Sequence, residues 1–180
     1  MAEAGYQFET ISPMDKEEPI QLGELPSQYV QRIAKDKLDS VIAEFGKKIK
    51  WGKNDIVLAC DTVVCANNEI LGKPLDREDA RRMLSILSGT EHDVFSGIVL
   101  FRPLDHFMLS ASEVTRLRML ALSADTIEEY IDSGLWEGKA GGFGWQDRTG
   151  WLEIVDGSPS NIVGLPLERL ALMMEEISKR

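Results

Sequence analysis

From Pro26 onward the apolar residues Val30, Ile33, Ala34, Leu38, Val41, Ile42 and Phe45 recur at helical spacing, which predicts an amphipathic helix. Pro26 suits a first-turn position and Gly46 a stop. The pattern then changes period. Ile56 to Cys65 is an almost unbroken apolar run at both parities, which predicts a strand covered on both faces. Asn67-Asn68, between Val63-Val-Cys65 and Ile70-Leu71, predicts a tight turn and hence a hairpin, because asparagine tolerates positive φ and bonds its own backbone.

Further along, Asp76 is placed to cap a helix carrying Ala80, Met83, Leu84 and Leu87, which Gly89 stops. Gly97 to Phe101 and Glu113 to Leu120 read as strands, joined through Arg102 to Phe107. Ser123 is a second cap, for a helix with Ile127, Tyr130 and Ile131 inward and Gly134 at its end. Trp151 to Val155 reads as a short strand, and Pro166 opens a last helix through Leu167, Leu170, Ala171, Met174 and Ile177. Without linkers, repeats or low complexity, this alternation predicts an α/β protein with a mixed twisted sheet and flanking helices.

Two charged residues break the pattern. Asp61 lies inside the apolar strand, where an unpartnered carboxylate is expensive, so the position asks for a cation, a metal or a catalytic task. The plainer alternative ends the strand at Cys60 and lets Asp61 start a turn. Winding the first helix at about 100° per residue puts Lys37 mid-face, between Ile33 and Val41. Its amine either reaches water at the rim along a buried stem or enters a cleft to bind an anion. Lys35, Asp36 and Asp39 belong to the solvated face.

The hairpin returns Gly72-Lys73-Pro74 alongside Asp61. A two-residue loop sets Lys73 across from Thr62, and a three-residue loop sets it across from Asp61. Either register brings an ammonium near the acid. Gly72 permits close backbone approach, and Pro74 ends the pairing.

Composition removes several classes. At 180 residues the chain suits one domain, or two lobes sharing a cleft. A formal net charge of −10 argues against a nucleic-acid polymer as partner, yet leaves room for a small phosphorylated ligand held by a few local cations. No apolar run is long enough for a bilayer, and no signal peptide opens the chain. Cys60 and Cys65 lie too far apart along one strand to bridge, and read as small core residues of a cytoplasmic protein. His92 and His106 stand in separate segments with no cysteine cluster, against structural zinc.

Two loops are candidates to complete a site. Lys139-Ala-Gly-Gly-Phe-Gly-Trp-Gln146 sets three glycines around one amide, so its N–H groups can approach an anion while Gln146 reads a ligand edge. Taken alone it reads first as a turn. Gly157-Ser-Pro-Ser-Asn161 reads first as a turn before a helix, and second as a phosphate contact at that helix start.

Together, Asp61-Thr-Val-Val64, Gly72-Lys-Pro74, Leu87-Ser-Gly89, Lys139-Ala-Gly141, Gly144-x-Gln146 and Ser160-Asn-Ile-Val-Gly-Leu-Pro166 resemble the Maf family, also called septum formation inhibitor-like proteins. The resemblance runs from about Gly5 to the last helix. It implies two lobes around a deep cleft, in a Maf or inosine-triphosphatase-like fold. The implied activity is a nucleoside triphosphate pyrophosphatase that uses a divalent metal, magnesium or manganese, commonly as a homodimer. It makes Asp61 the proton acceptor, Lys37 and Lys73 the phosphate-binding cations, Glu17 a further acid that with Asp61 holds the metal, and Thr62 and Gln146 the base-sensing positions. Asp61-Thr62 and Gln146 resemble the branch acting on pyrimidine triphosphates such as dTTP and UTP.

The chain departs from the family in three places. Met14-Asp-Lys-Glu-Glu18 differs from the acid-rich sequence usual there, so Glu18 or Asp15 can stand in for Glu17. Gly144-Trp-Gln-Asp147 replaces the commoner Gly-Ile-Gln-Gly. The family's opening strand and Ser-x-Ser-Pro-Arg-Arg motif have no counterpart here, and Met1 to Gly5 reads as the tail of that helix. The expectation is one Maf-like domain over residues 1–180, truncated at its N-terminus. Loss of those arginines lowers activity, which keeps a non-catalytic nucleotide-binding or dimerisation remnant as the rival reading.

Overall fold

A computed structural model describes residues 5–12 and 18–179. Helix α1 (Pro26–Phe45) begins with proline in its first turn, and the Gln28 side chain accepts from the Leu25 N–H. Its apolar stripe is buried at Val30, Ile33, Ala34, Leu38 and Val41. Strand β1 (Val57–Ala66) carries the acid within its length rather than ending before it. It turns through Asn67 and Asn68, both at positive φ, into β2 (Glu69–Leu71). Val64 pairs Leu71 and Ala66 pairs Glu69, so the loop has two residues. That choice between the two registers follows from asparagine at both central positions of a primed turn.

Helix α2 (Arg77–Leu87) is capped by the Asp76 carboxylate, which accepts from Asp79 N–H at 2.8 Å. Strands β3 (Glu91–Arg102) and β4 (Phe107–Met119) form a long hairpin. Strand β3 starts before its apolar core because the ladder continues through charged pairs such as Asp93 with Arg116 and Glu91 with Arg118, whereas β4 starts before Glu113 because Met108, Leu109 and Ala111 pair with the apolar Phe101, Leu100 and Ile98. Helix α3 (Ala124–Asp132), capped by Ser123, β5 (Leu152–Asp156), a four-residue α4 (Pro159–Ile162) and α5 (Leu167–Ser178) complete the order.

The sheet runs β2-β1-β3-β4-β5, and its four pairings among the described residues are all antiparallel. The α/β architecture with flanking helices is as the sequence predicts. Hairpins, rather than crossovers, make the connections between β1 and β2 and between β3 and β4. Residues 57, 59 and 61 of β1 share the face packed by α1, where Ala34 and Leu38 meet Val99 and Phe101. Along the opposite face, α5 covers Leu58, Cys60 and Ile98, while α2 and α3 cover Val64, Val94 and Leu117. Between these two patches lies the stretch of β1 around Thr62, and there the molecule opens into a cleft. Among the described residues no helix is long and apolar enough to cross a membrane.

Candidate active site

The cleft has a volume of about 290 Å³ and is lined by Lys37, Asp61, Thr62, Lys73 and Gln146. Five of the six site residues expected from the sequence therefore meet at one place. The sixth, Glu17, lies outside the described residues, as does its alternate Asp15, while Glu18 is exposed. The volume is at the lower end of small-molecule sites, roughly 300–1,000 Å³.

Asp61 is 7% exposed, and Lys37 Nζ donates to its Oδ1 at 2.6 Å. The amine thus turns into the cleft rather than out to the rim. What brings it there is a close helix-to-sheet approach. Asp61 sits directly across from Gly97 on β3, and a Cβ on Gly97 would lie 2.2 Å from the Val30 carbonyl oxygen of α1. Only a residue without a side chain lets α1 pass so close, and Lys37 follows two turns later on the same stripe.

On the other face of β1, Thr62 Oγ1 and Ser96 Oγ share a hydrogen bond at 2.7 Å, and Ser96 Oγ donates to the Asn161 carbonyl at 3.2 Å. Asn161 is itself buried. Its amide donates to Val94 O and Thr115 Oγ1, both at 3.0 Å, which fastens α4 to β3 and β4. Cys60 Sγ donates to Gly164 O at 2.9 Å. Burial first, and the neighbouring Asp61 charge second, push the Cys60 thiol up to about 12. It stays protonated and is a poor nucleophile.

Lys73 follows two residues after β2 and, continuing that register, falls across from Thr62. Its side chain lines the cleft. The Gly141 N–H donates to Gly72 O at 2.9 Å, which fastens the glycine-rich loop to the residue before Lys73. This loop contains two short turns, Ala140–Gly142 and Trp145–Asp147. Gly141 takes φ 69°, and a Cβ there would meet Val64 Cγ2 at 2.9 Å, so both conformation and space demand glycine. Gln146 is exposed at the cleft.

Sequence reasoning missed the group that holds this loop. Lys139 Nζ lies 2.6 Å from both Asp147 oxygens, and the Tyr130 hydroxyl donates to Asp147 Oδ2 at 2.5 Å. Burial, then the Asp147 carboxylate, raises the Tyr130 pKa. The available signal was the acid at the end of Gly144-Trp-Gln-Asp147, where the family pattern has glycine. The Gly157-to-Asn161 segment is not only a turn, since Pro159–Ile162 is itself the short α4, and it leads on to α5. Its serine hydroxyls are engaged by Glu168, with Ser158 Oγ at 2.9 Å, so a carboxylate occupies the place considered for phosphate.

Among the described residues no three His, Cys, Asp or Glu side chains cluster as a metal cage. Magnesium commonly takes one or two carboxylates and completes its shell with substrate phosphates and water, so a cleft with Asp61 as its acidic residue fits that manner of binding.

A family model described as Maf-like protein matches residues 1–177. The chain is 39% identical to a dTTP/UTP pyrophosphatase of Rhodopirellula baltica, across 99% of this chain and 77% of that one. A protein of the same name from Clostridium botulinum strain Kyoto is 39% identical, with 84% and 76% covered. One from Koribacter versatilis is 36% identical, with 91% and 81% covered.

Proposed function

The chain belongs to the Maf family, and on that premise we propose that it is a nucleoside triphosphate pyrophosphatase, a hydrolase of phosphoric anhydrides. Its substrate is a pyrimidine triphosphate such as dTTP or UTP, cut to the monophosphate and pyrophosphate, the activity for which its relatives are named. The observation that carries the reading is the buried Lys37–Asp61 pair at 2.6 Å in a cleft shared with Lys73 and Gln146. Keeping a carboxylate in a sheet interior is costly. Work on a phosphorylated substrate gives it a reason.

In this mechanism water attacks the α-phosphorus and pyrophosphate leaves. Asp61 accepts or orients the water proton, with Glu17 as the second acid. Lys37 and Lys73 bind the phosphates and set the α-phosphorus in line with the water. Thr62 and Gln146 face the base, the latter with an amide that both donates and accepts. Asp61 and Glu17, with phosphate oxygens, are the groups to hold magnesium or manganese. Bound there, the ion supplies charge neutralisation at the phosphoryl oxygens and a more acidic water. The protonated Cys60 takes no part.

The same premise extends to one domain over residues 1–180 that works in the cytoplasm as a homodimer. Light scattering on the purified protein tests the dimer. For the activity, the experiment is a panel of dTTP, UTP, CTP, dATP and GTP with magnesium, manganese or excess chelator, with pyrophosphate and orthophosphate read separately. Pyrophosphate released from dTTP and UTP, and suppressed by chelation, is expected. Orthophosphate as the first product, or purine turnover above pyrimidine, overturns the reading.

A further inference from the structure

The loop from Lys139 to Asp147 is held by a charged knot that the reaction itself does not require. The Asp147 side chain is only 6% exposed, and both its oxygens receive the Lys139 ammonium at 2.6 Å. One of those oxygens also accepts from Tyr130, whose ring meets Trp151 edge-on at 4.9 Å. The first residue of the loop, its last residue and helix α3 are thereby tied at one point. Gly144 passes beneath the pair, where a Cβ would lie 2.8 Å from Asp147 Oδ2 and 2.9 Å from Lys139 Nζ. At the far side, the bond from Gly141 to Gly72 fixes the loop against the exit of β2. Between these fastenings stands Gln146, next to Asp147 and exposed to the cleft.

We propose that Asp147 is a positioning residue for base selection, holding Lys139 and Tyr130 so that the Gln146 amide meets the base in one fixed setting. This rests on the nucleotide reading of the cleft. A pyrimidine such as uracil or thymine offers adjacent acceptor and donor groups on its edge, which an amide matches only when its oxygen and nitrogen are held in the right order. Discrimination of this kind comes from polar groups left unpaired with the wrong partner, and it fades when the reader can swivel.

The test is direct binding of non-hydrolysable α,β-imido analogues of UTP and CTP, whose bases present the same edge with donor and acceptor exchanged, to the full chain and to Asp147→Asn, Lys139→Met and the double variant. The readout is the ratio of the two affinities, which does not depend on the fraction of protein folded and so is not moved by a merely structural role. The expected result is a loss of UTP preference on the order of tenfold in each single variant, about the worth of one hydrogen bond, with no further loss in the double. A preference unchanged in both single variants, or losses that multiply in the double, overturns the proposal. Pyrophosphate release is measured in parallel. Preference that depends on Asp147 without any release by the wild type overturns the hydrolase reading alone, and release with an unmoved preference overturns this inference alone.

Discussion

Replacing Gly97 with alanine perturbs the site without touching a residue of the cleft. The added Cβ would stand 2.2 Å from the Val30 carbonyl oxygen and 2.6 Å from Gln31 N, respectively 1.2 Å and 0.8 Å inside the 3.4 Å at which ordinary contact begins. These are backbone atoms of α1, so no rotamer change relieves them, and the helix must withdraw by about 1 Å. Overpacking of this kind costs about 1–3 kcal/mol, and the backbone clash puts Gly97→Ala at the upper end. Because Asp61 lies across from Gly97 and Lys37 rides on the displaced helix, the withdrawal also loosens the ion pair. A displacement of that size in a catalytic constellation costs roughly 10²-fold in rate. Urea unfolding and pyrophosphate release on the same preparation measure both effects. Gly72→Ala, where nothing lies within 4 Å of the new Cβ, is the stability control and should stay within about 0.5 kcal/mol of wild type. Wild-type stability together with wild-type turnover in Gly97→Ala would refute the claim that this close approach builds the site.

Three further outcomes are expected. Burial lowers the His92 pKa from its ordinary 6.5 to about 4, so the unfolded chain takes up this proton first as pH falls. The stability tied to neutral His92 is complete above pH 6.5 and is lost between there and pH 4, up to about 3 kcal/mol. Urea titrations at pH 7.5 and 4.5 should show that loss in the wild type, and a smaller one in His92→Leu. Cys60, with its thiol pushed up to about 12, should resist iodoacetamide at pH 8 until the protein is unfolded, as peptide mass mapping reads out; rapid native labelling would contradict so weakly acidic a thiol. Asn161→Leu removes the amide that donates to Val94 O and Thr115 Oγ1, and should cost about 2–3 kcal/mol in urea unfolding, against almost nothing if α4 is held by other contacts.

Much of this molecule is legible where local pattern and tertiary environment agree. Helix α1 begins and ends where Pro26 and Gly46 place it, and Asp61 stands out because one acid, itself buried, interrupts an apolar run that is buried at Val63 and Val64 and half-buried from Val57 to Cys60. Lys37 is anomalous for the same reason. The hairpin register was open until the turn fixed it at two residues, because both registers satisfy the same alternation. Strand β3 extends beyond its apolar core because cross-strand ion pairs carry the ladder on, and charge pairing across a sheet leaves no period in the sequence. Helix α4 is too short to show one. The Lys139–Asp147–Tyr130 knot joins α3 to a loop, and a lysine and an aspartate in a loop look solvated until the fold buries the carboxylate between them. The candidate site was therefore readable where a charge violates a pattern, and unreadable where charges conform to one.

The measurement that bears most directly on the central claim is single-turnover release of pyrophosphate from dTTP by Asp61→Asn beside the wild type, with binding of a non-hydrolysable dTTP analogue on the same samples. The account predicts a rate lower by roughly 10²–10⁴-fold, the worth of a positioned proton acceptor, with the analogue still bound. A variant that releases pyrophosphate at the wild-type rate would remove Asp61 from the chemistry and leave its burial beside Lys37 as a feature of the fold alone.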